Sequence, residues 1–558
     1  MKNATSNSDC KSTSLKTLPT ANYDFESLRK DDDCVYVDKT DMLYKLASVR
    51  KDAIYFISRP RRFGKSLMLS TLKCLFEGKR ELFNGLKIEK KHWDWSKTYP
   101  VIHLNMSDYD KVEGLDAFEE TLHDDLAGRL ESAGIKFKVN AKSPVLFDAL
   151  IKGLAAANRK VDENGNEIQE GRVVVLVDEY DHPLSGLLGD KPALKRMRKR
   201  LQGFYSTLKN NVGVIRFLMM TGVSKFTKLS VFSGLNNLTD LTMDEPDYAA
   251  LLGYTRKEIE TTLSAHLDNF AKKLGKPRTA ALKELMAWYD SYRFSPYSKE
   301  RVLNPVSVGR AFSNGILADY WTKTGMPTLV VERMNAYSKM PKDLEGVEAY
   351  EDDLDVCDAL ELPWVALLYQ SGYLTIKDVV WEKQEGTEAL NPKMILGAPN
   401  LEVRNHLGSC YWQSILGMRE ENFSAIVDVA KRQIADDDLH GLIYNSLFSL
   451  YAKLPPTWRI KNEAEAKRYF LLFISMAGGK LAPEAPSLLG YADAIIETKK
   501  NVYVFEFKFN RSAKAAVRQI REKGYADEYK NDKRPVTLIG INFKSSKRNI
   551  DEPQIEML

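Results

Sequence analysis

Short, wholly apolar runs alternate with amphipathic stretches through the first half of the chain. The run Ala53-Ile54-Tyr55-Phe56-Ile57 predicts a buried strand, and apolar residues at helical spacing over 67–76 predict an amphipathic helix just after it. Further buried strands are expected at 101–104, 173–177 and 214–220, with helical patterns between them. Strands alternating with helices predict a parallel α/β sheet, because each parallel strand needs a crossover connection. The polar stretch Asp162-Glu163-Asn164-Gly165-Asn166-Glu167 interrupts the pattern as a surface hairpin or loop. From Pro246 to about Gly441 the pattern is mostly helical, broken by Pro and Gly, with one strand expected near 373–376. After Pro455-Pro456 a new unit begins: a helix at Glu463–Met476, strands at 492–496 and 502–507, a helix near 513–525 and a last strand at 536–543. The chain thus reads as a disordered tail at 1–21, an α/β domain at 22–245, a mostly helical region at 246–445 and a small mixed α/β domain at 446–558.

Composition narrows the class. The 558 residues, 44% hydrophobic and 28% charged, are ordinary for a soluble protein with several cores. The longest apolar runs fall far below the roughly 18–20 residues that a membrane helix needs. The polar start MKNATSNSDCKSTSLKT has no apolar core of the kind a secretory signal requires. Cys10, Cys34, Cys74, Cys357 and Cys410 are scattered and odd in number, which argues against a disulfide framework or a Cys-rich zinc site. A cytoplasmic location without a membrane partner is expected.

The first strand leads into Ser58-Arg59-Pro60-Arg61-Arg62-Phe63-Gly64-Lys65-Ser66 and then the helix. A Gly-Lys-Ser at a helix N-terminus after a strand suits a phosphate. Backbone N–H groups and the helix dipole face the anion, Lys65 reaches the outer phosphates, and the Ser66 hydroxyl can bind Mg²⁺. The loop departs from the usual pattern, since Arg59 stands where its first Gly belongs. Arg59, Arg61, Arg62, Phe63 and Gly64 are expected, with Lys65 and Ser66, to bind the nucleotide, the three arginines alternatively meeting a partner or forming a solvated basic loop. The apolar strand at 173–177 runs into Asp178-Glu179, so Asp178 would complete a Mg²⁺ shell and Glu179 would orient water. Thr221, at the end of another apolar strand, is either a sensor of the γ-phosphate or a strand end in a turn.

The C-terminal unit carries Asp493 and, on the next strand, Glu506-Phe507-Lys508. Strand alternation puts Glu506 and Lys508 on one face, and pairing of the two strands would bring Asp493 beside Glu506. Two carboxylates can hold a Mg²⁺ that polarises a phosphodiester, and a neighbouring Lys can stabilise the developing charge. Glu465 shares a helix face with Tyr469, Leu472 and Met476 and is a further candidate ligand, with Glu463 a competing choice; Gln519 and Tyr525 are expected to touch phosphate or shape the site. Between Lys499 and Arg548 there are 14 Lys/Arg against 5 Asp/Glu, a net of +9 that suits nucleic acid or else a solubilising surface.

These residues carry a resemblance. Val35-Tyr36-Val37-Asp38-Lys39-Thr40, the loop Arg59 to Ser66, Asp178-Glu179-Tyr180-Asp181, Thr221-Gly222-Val223-Ser224-Lys225-Phe226 and Phe232-Ser233-Gly234-Leu235-Asn236-Asn237-Leu238 resemble the AAA-ATPase-like proteins abundant in gut Bacteroidetes. In that family an Arg in place of the first loop Gly is normal. Trp288-Tyr289-Asp290-Ser291-Tyr292-Arg293-Phe294 resembles its W-Y-D-G-Y-R-F signature, with Ser291 in the Gly position. The C-terminal unit is similar to the PD-(D/E)XK nuclease domain often joined to this ATPase, and the resemblance places its metal-site residues at Asp493, Glu506 and Lys508, with Glu465 less securely aligned.

The fold expected is therefore α/β: a P-loop NTPase domain, a mostly helical middle region and a C-terminal restriction-endonuclease-like domain. The resemblance implies an ATP-regulated, Mg²⁺-dependent nuclease in genome defence or mobile-element biology. DNA is favoured over RNA as partner, and a homo-oligomer is compatible with this. The rival reading is a nucleotide-switched module that grips nucleic acid or protein without cutting it.

Overall fold

A computed structural model describes residues 15–19, 24–31, 33–51, 53–109, 115–188, 190–225, 238–321, 330–332, 334, 337, 344–355, 363–383, 390–416, 420–453, 460–477, 480–481, 486–487 and 490–558. The chain divides into two compact units, one of residues 1–326 with 345–402 and one of 327–344 with 403–558. The segment 246–445 contributes to both.

The first unit is built on five parallel strands: β1 (Ile54–Ser58), β2 (Val101–Asn105), β3 (Val173–Asp178), β4 (Ile215–Gly222) and β5 (Thr239–Asp240). Their order is β2-β3-β4-β1-β5. Every residue of β1, β3 and β4 is buried, which is why these strands read as unbroken apolar runs. Helix α1 (Lys65–Phe76) follows β1 and packs under the sheet through Leu69, Leu72 and Phe76. Chain connections leave β1 and β4 in opposite directions, so the C-terminal ends of neighbouring β1, β4 and β3 form the crevice where open α/β sheets hold ligands. The polar stretch near 162–167 is a two-stranded hairpin pairing Lys160–Val161 with Glu167–Gln169.

Two expectations change. In the segment expected as a disordered tail, residues 15–19 are described and packed: Val35 N donates to Thr17 O at 3.0 Å, and Leu18 is buried among Tyr254, Leu263 and Leu267. Leu15 and Leu18 alone in a polar stretch are too little pattern to predict that. In the middle region, beside helices such as Ser264–Lys273, Arg278–Tyr289 and Pro305–Asn314, the described residues hold a short antiparallel pair, Tyr254–Thr255 with Val302–Leu303, and a three-stranded antiparallel sheet, rather than one strand. Strands β6 (Val347–Ala349), β7 (Thr375–Lys383) and β8 (Leu390–Gly397) pair in the order β6-β8-β7. A register shift between Ile376 and Asp378 breaks the alternation of β7, and one side of the strand faces water, so no continuous apolar signal survives.

The second unit holds a six-stranded mixed sheet: β9 (Lys480–Leu481), β10 (Ala494–Glu497), β11 (Val502–Phe509), β12 (Val536–Lys544), β13 (Asn549–Ile550) and β14 (Gln554–Met557). Strands β11 and β12 are parallel, and the other pairs are antiparallel. Helix α2 (Glu463–Met476) packs on one face, with Phe470 4.8 Å from Phe507 and 5.0 Å from Phe505 between ring centroids. Helix α3 (Ala513–Lys523) covers the other face, where Val502, Val504, Val517, Ile520 and Leu538 form a core. That helix approaches β12 closely over Gly540, where a Cβ would stand 2.1 Å from Ala513 O, so no other residue fits there without moving the helix.

Candidate functional sites

The loop between β1 and α1 is held from below. Gly64 caps the helix in the left-handed region with φ of 96°, and nothing lies within 4 Å of where its Cβ would be. The helix N-terminus therefore opens on free space, as an anion cradle requires. Lys65 is buried, and its Nζ donates to Arg59 O at 2.9 Å and Pro60 O at 3.0 Å. Burial pushes its pKa down, while Asp178, Glu179 and Asp181 pull the other way. Ser66 follows as a half-buried residue at the start of the helix.

Arg59 and Phe63, expected to face a ligand, instead form the footing of the loop. Arg59 is 1% exposed, lies 4.2 Å over the Phe294 ring, and donates through one guanidinium nitrogen to Ser58 O and Thr242 O. Desolvation pushes its pKa down to about 10. A planar cation on an aromatic face tolerates burial better than an ammonium, which gives Arg a structural reason to stand where Gly is usual. Phe63 is buried with its ring 4.9 Å from Tyr292 and 5.5 Å from Phe294. Arg61 and Arg62 keep half-buried side chains on the loop, Arg62 with φ of 66°. The Arg61 carbonyl accepts from Trp321 Nε1 at 2.8 Å and Asn304 Nδ2 at 3.3 Å. Trp321 is fixed in turn by the fully buried Glu402, whose Oε1 accepts from the amides of Tyr320 and Trp321 at 2.6 Å each. Tyr292 and Phe294 of the Trp288–Phe294 signature, with Trp321 further along the chain, thus form the floor of the loop.

Across the crevice, the Thr221 hydroxyl donates to Asp178 Oδ1, joining the ends of β4 and β3. Glu179 sits at φ of 50°, half exposed, 3.4 Å from His182 Nδ1. The hydrogen bond with His182 holds the Glu179 carboxyl below its usual range against the effect of burial. Asp181, the last residue of the Asp178-to-Asp181 motif and one with no role expected of it, accepts from the amides of Val223 and Ser224, and burial pushes its pKa up to about 6. Lys65, Ser66, Asp178, Glu179 and Thr221 therefore lie around one crevice and could receive a triphosphate and its cation.

In the second unit the strand ladder ends at Ala494 opposite Phe505, and there the Asp493 carboxylate takes up the amide of Phe507 at 2.7 Å. Glu506 and Lys508 are buried on one face of β11, with Lys508 Nζ 2.9 Å from Glu506 Oε1. Lys508 Nζ also lies 3.2 Å from Glu463 Oε1. Ligand atoms of Glu463, Asp493 and Glu506 all lie within 4.8 Å of one another. Burial, then the nearby Asp493, push Glu506 up to about 7. Its Oε2 is buried and makes no hydrogen bond with the protein, which is costly unless something else occupies that lone pair. Hard oxygen donors converging on an unsatisfied carboxylate oxygen fit a divalent cation such as Mg²⁺.

Glu465 does not join this cluster. Its carboxylate accepts from the amide of Lys461 at 2.7 Å at the start of α2. Two residues apart on a helix is about 200° of rotation, so Glu463 and Glu465 cannot face the same point. The Glu463 face continues through Phe470 onto the sheet. The opposite face, with Leu472 and Met476, packs against Gly408. Gln519 Nε2 and Tyr525 OH bond each other at 3.3 Å, with Tyr525 in the core beside α3. Lys467, unremarked in the sequence, places Nζ 2.8 Å from Asp493 Oδ1. The spacing of Glu463, Lys467 and Phe470 on one face was the available signal.

Comparison with known proteins gives a family match over the residue range that holds each site. The family described as Predicted AAA-ATPase matches residues 19–232, and the PD-(D/E)XK nuclease superfamily matches residues 461–553. The chain is also 32% identical over 554 residues to an "Uncharacterized protein in vnfD 5'region" of Azotobacter chroococcum mcd 1, covering 96% of this chain and 98% of that one. The chain belongs to the AAA-ATPase-like family and carries a C-terminal PD-(D/E)XK nuclease-superfamily domain. The first match ends at residue 232, after β4, and the second spans α2 to β13. No helix among the described residues is long and apolar enough to cross a membrane.

Proposed function

We propose that this AAA-ATPase-like protein binds and hydrolyses ATP and that its nucleotide state controls a metal-dependent phosphodiesterase that cuts nucleic acid, DNA in preference to RNA. The observation that carries the reading is the convergence of Glu463, Asp493 and Glu506 around Lys508, with a buried oxygen of Glu506 left for a ligand. These three carboxylates would hold Mg²⁺, which when bound supplies Lewis-acid polarisation of a phosphodiester and a more acidic water. Lys508 holds Glu506 in place and stands ready to stabilise charge on a phosphoryl oxygen. Asp493 is oriented by the Phe507 amide, and one of its oxygens lies within 4.8 Å of ligand atoms of Glu463 and Glu506.

In the first unit, Lys65 would serve the outer phosphates, with Ser66 and Asp178 holding the nucleotide's Mg²⁺. Thr221 fixes Asp178, and Glu179, steadied by His182, would orient the attacking water. A role in genome defence or mobile-element biology fits an effector whose nuclease is held under nucleotide control.

One cleavage assay, with and without ATP, on parent, Lys65→Ala and Asp493→Ala proteins tests the reading. Asp493→Ala is expected to abolish cleavage and keep ATP binding; Lys65→Ala is expected to lose ATP binding and change cleavage. Cleavage surviving in Asp493→Ala removes the nuclease. Cleavage indifferent to ATP and to Lys65 removes the control. Binding of DNA without cleavage by the parent supports the non-cutting module instead.

A further inference from the structure

Two lysines, not one, face the carboxylate cluster. Lys467 lies one helical turn beyond Glu463 on α2, with Nζ 2.8 Å from Asp493 Oδ1, while the other oxygen of Asp493 is taken by the Phe507 amide. Lys508 bridges Glu506 and Glu463, at 2.9 and 3.2 Å. The two lysines differ in depth. The Lys508 side chain is 5% exposed and that of Lys467 is 26% exposed, with Asp493 at 15% between them. Lys467 is therefore the lysine that solvent and a polymer backbone can reach, and Lys508 is the deeper one.

The charge count limits what else can enter. Glu463, Asp493 and Glu506 supply three negative charges when ionised, and the two ammonium groups return two of them. One divalent cation turns the remaining −1 into +1, which a phosphodiester then neutralises. A second would leave +3 in a partly buried site, an unfavourable excess even beside one phosphate.

Resting on the nuclease reading above, we propose that the site takes a single divalent cation and that Lys467 does the work a second cation would do. In the free protein it neutralises Asp493, and with substrate bound its ammonium serves a non-bridging oxygen of the scissile phosphate. A purely structural ion pair, pinning α2 to the start of β10, is the competing role, and it predicts no change in metal stoichiometry.

The test is a Mn²⁺ titration of the full chain without nucleotide, read by the paramagnetic resonance of free Mn²⁺, with Asp493→Ala subtracted to remove other sites. Cleavage at saturating metal is measured alongside. The parent is expected to bind one ion. Lys467→Met keeps the aliphatic stem and removes the charge; it should bind Mn²⁺ on the order of tenfold more tightly or accept a second ion, because a competing cation is gone. The same variant should cleave about a hundredfold more slowly at saturating metal, the scale of losing one donor to transition-state charge. Lys467→Arg, which keeps the charge, should retain the single ion and recover part of the rate. Unchanged Mn²⁺ binding and unchanged cleavage in Lys467→Met overturn the proposal and leave the nuclease standing. Two ions in the parent overturn it as well. No difference between parent and Asp493→Ala in the titration removes the metal site itself, and the proposal with it.

Discussion

The carboxylate of Glu402 should make the stability of the first unit fall as pH rises, and Glu402→Gln should remove that dependence. The side chain is fully buried, accepts from the amides of Tyr320 and Trp321, and receives the Ser307 hydroxyl at 2.9 Å. Burial raises its pKa from 4.5 to about 7 against the pull of those donors. The folded state thus holds the proton more tightly than the unfolded chain. Stability from this group is fully present below pH 4.5, drains away as pH rises, and is gone above about 7. At about 1.4 kcal/mol per pH unit, the interval is worth on the order of 3 kcal/mol. Gln cannot titrate, yet its oxygen can accept the same two amides and its NH₂ can donate to Ser307. Urea unfolding of parent and Glu402→Gln from pH 5 to 8 should therefore give stabilities that diverge by nearly that amount, the variant gaining relative to the parent as pH rises. The two compact units need not unfold together, so the difference between the proteins at each pH is the quantity read. Parallel pH profiles would refute the reasoning. Because Trp321 carries the Arg61 carbonyl of the loop, Glu402→Ala should also weaken ATP binding where Glu402→Gln does not.

Ser291 holds φ of 91°, a region that costs a non-glycine residue about 1–3 kcal/mol, so Ser291→Gly should raise stability by about 1 kcal/mol in urea unfolding. Glu463→Ala should weaken Mn²⁺ binding on the order of a hundredfold, at least the cost of losing an outer partner of a metal ligand. Glu465→Ala should leave metal affinity unchanged and cost about 1 kcal/mol through its lost bond to Lys461; equal effects on metal binding would reverse the assignment. Nucleic-acid binding should be salt-dependent, though less steeply than the basic stretch alone implies. Arg521, Arg534 and Lys547 pair with Glu556, Glu497 and Asp551, acids outside that stretch. The slope of log K against log salt should lie near −5 rather than about −8, and a flat response would show that this surface meets another partner.

The sequence by itself determined the elements whose environment is uniform along their length. β1, β3 and β4 are buried on both faces, so each is an apolar run, and the residues that end them, Arg59 to Ser66, Asp178 and Thr221, are located by that run alone. Glu506 and Lys508 were legible for the same reason, since a polar residue among phenylalanines on a strand can point only one way. What depends on contact between distant segments was decided by tertiary structure. Whether Arg59 faces a phosphate or a Phe294 ring 235 residues later is a matter of packing, and the basic loop looks the same on paper in either case. The choice of Glu463 over Glu465 turned on the rotation of one helix, fixed where Phe470 meets Phe505 and Phe507. Strands β6 and β8 escaped notice, and β7 was expected only at its start, because short length, a wet face and the bulge after Ile376 erase the period. Lys467 acquires its meaning only beside Asp493, because a lysine on a helix declares no partner until the fold brings one within 2.8 Å.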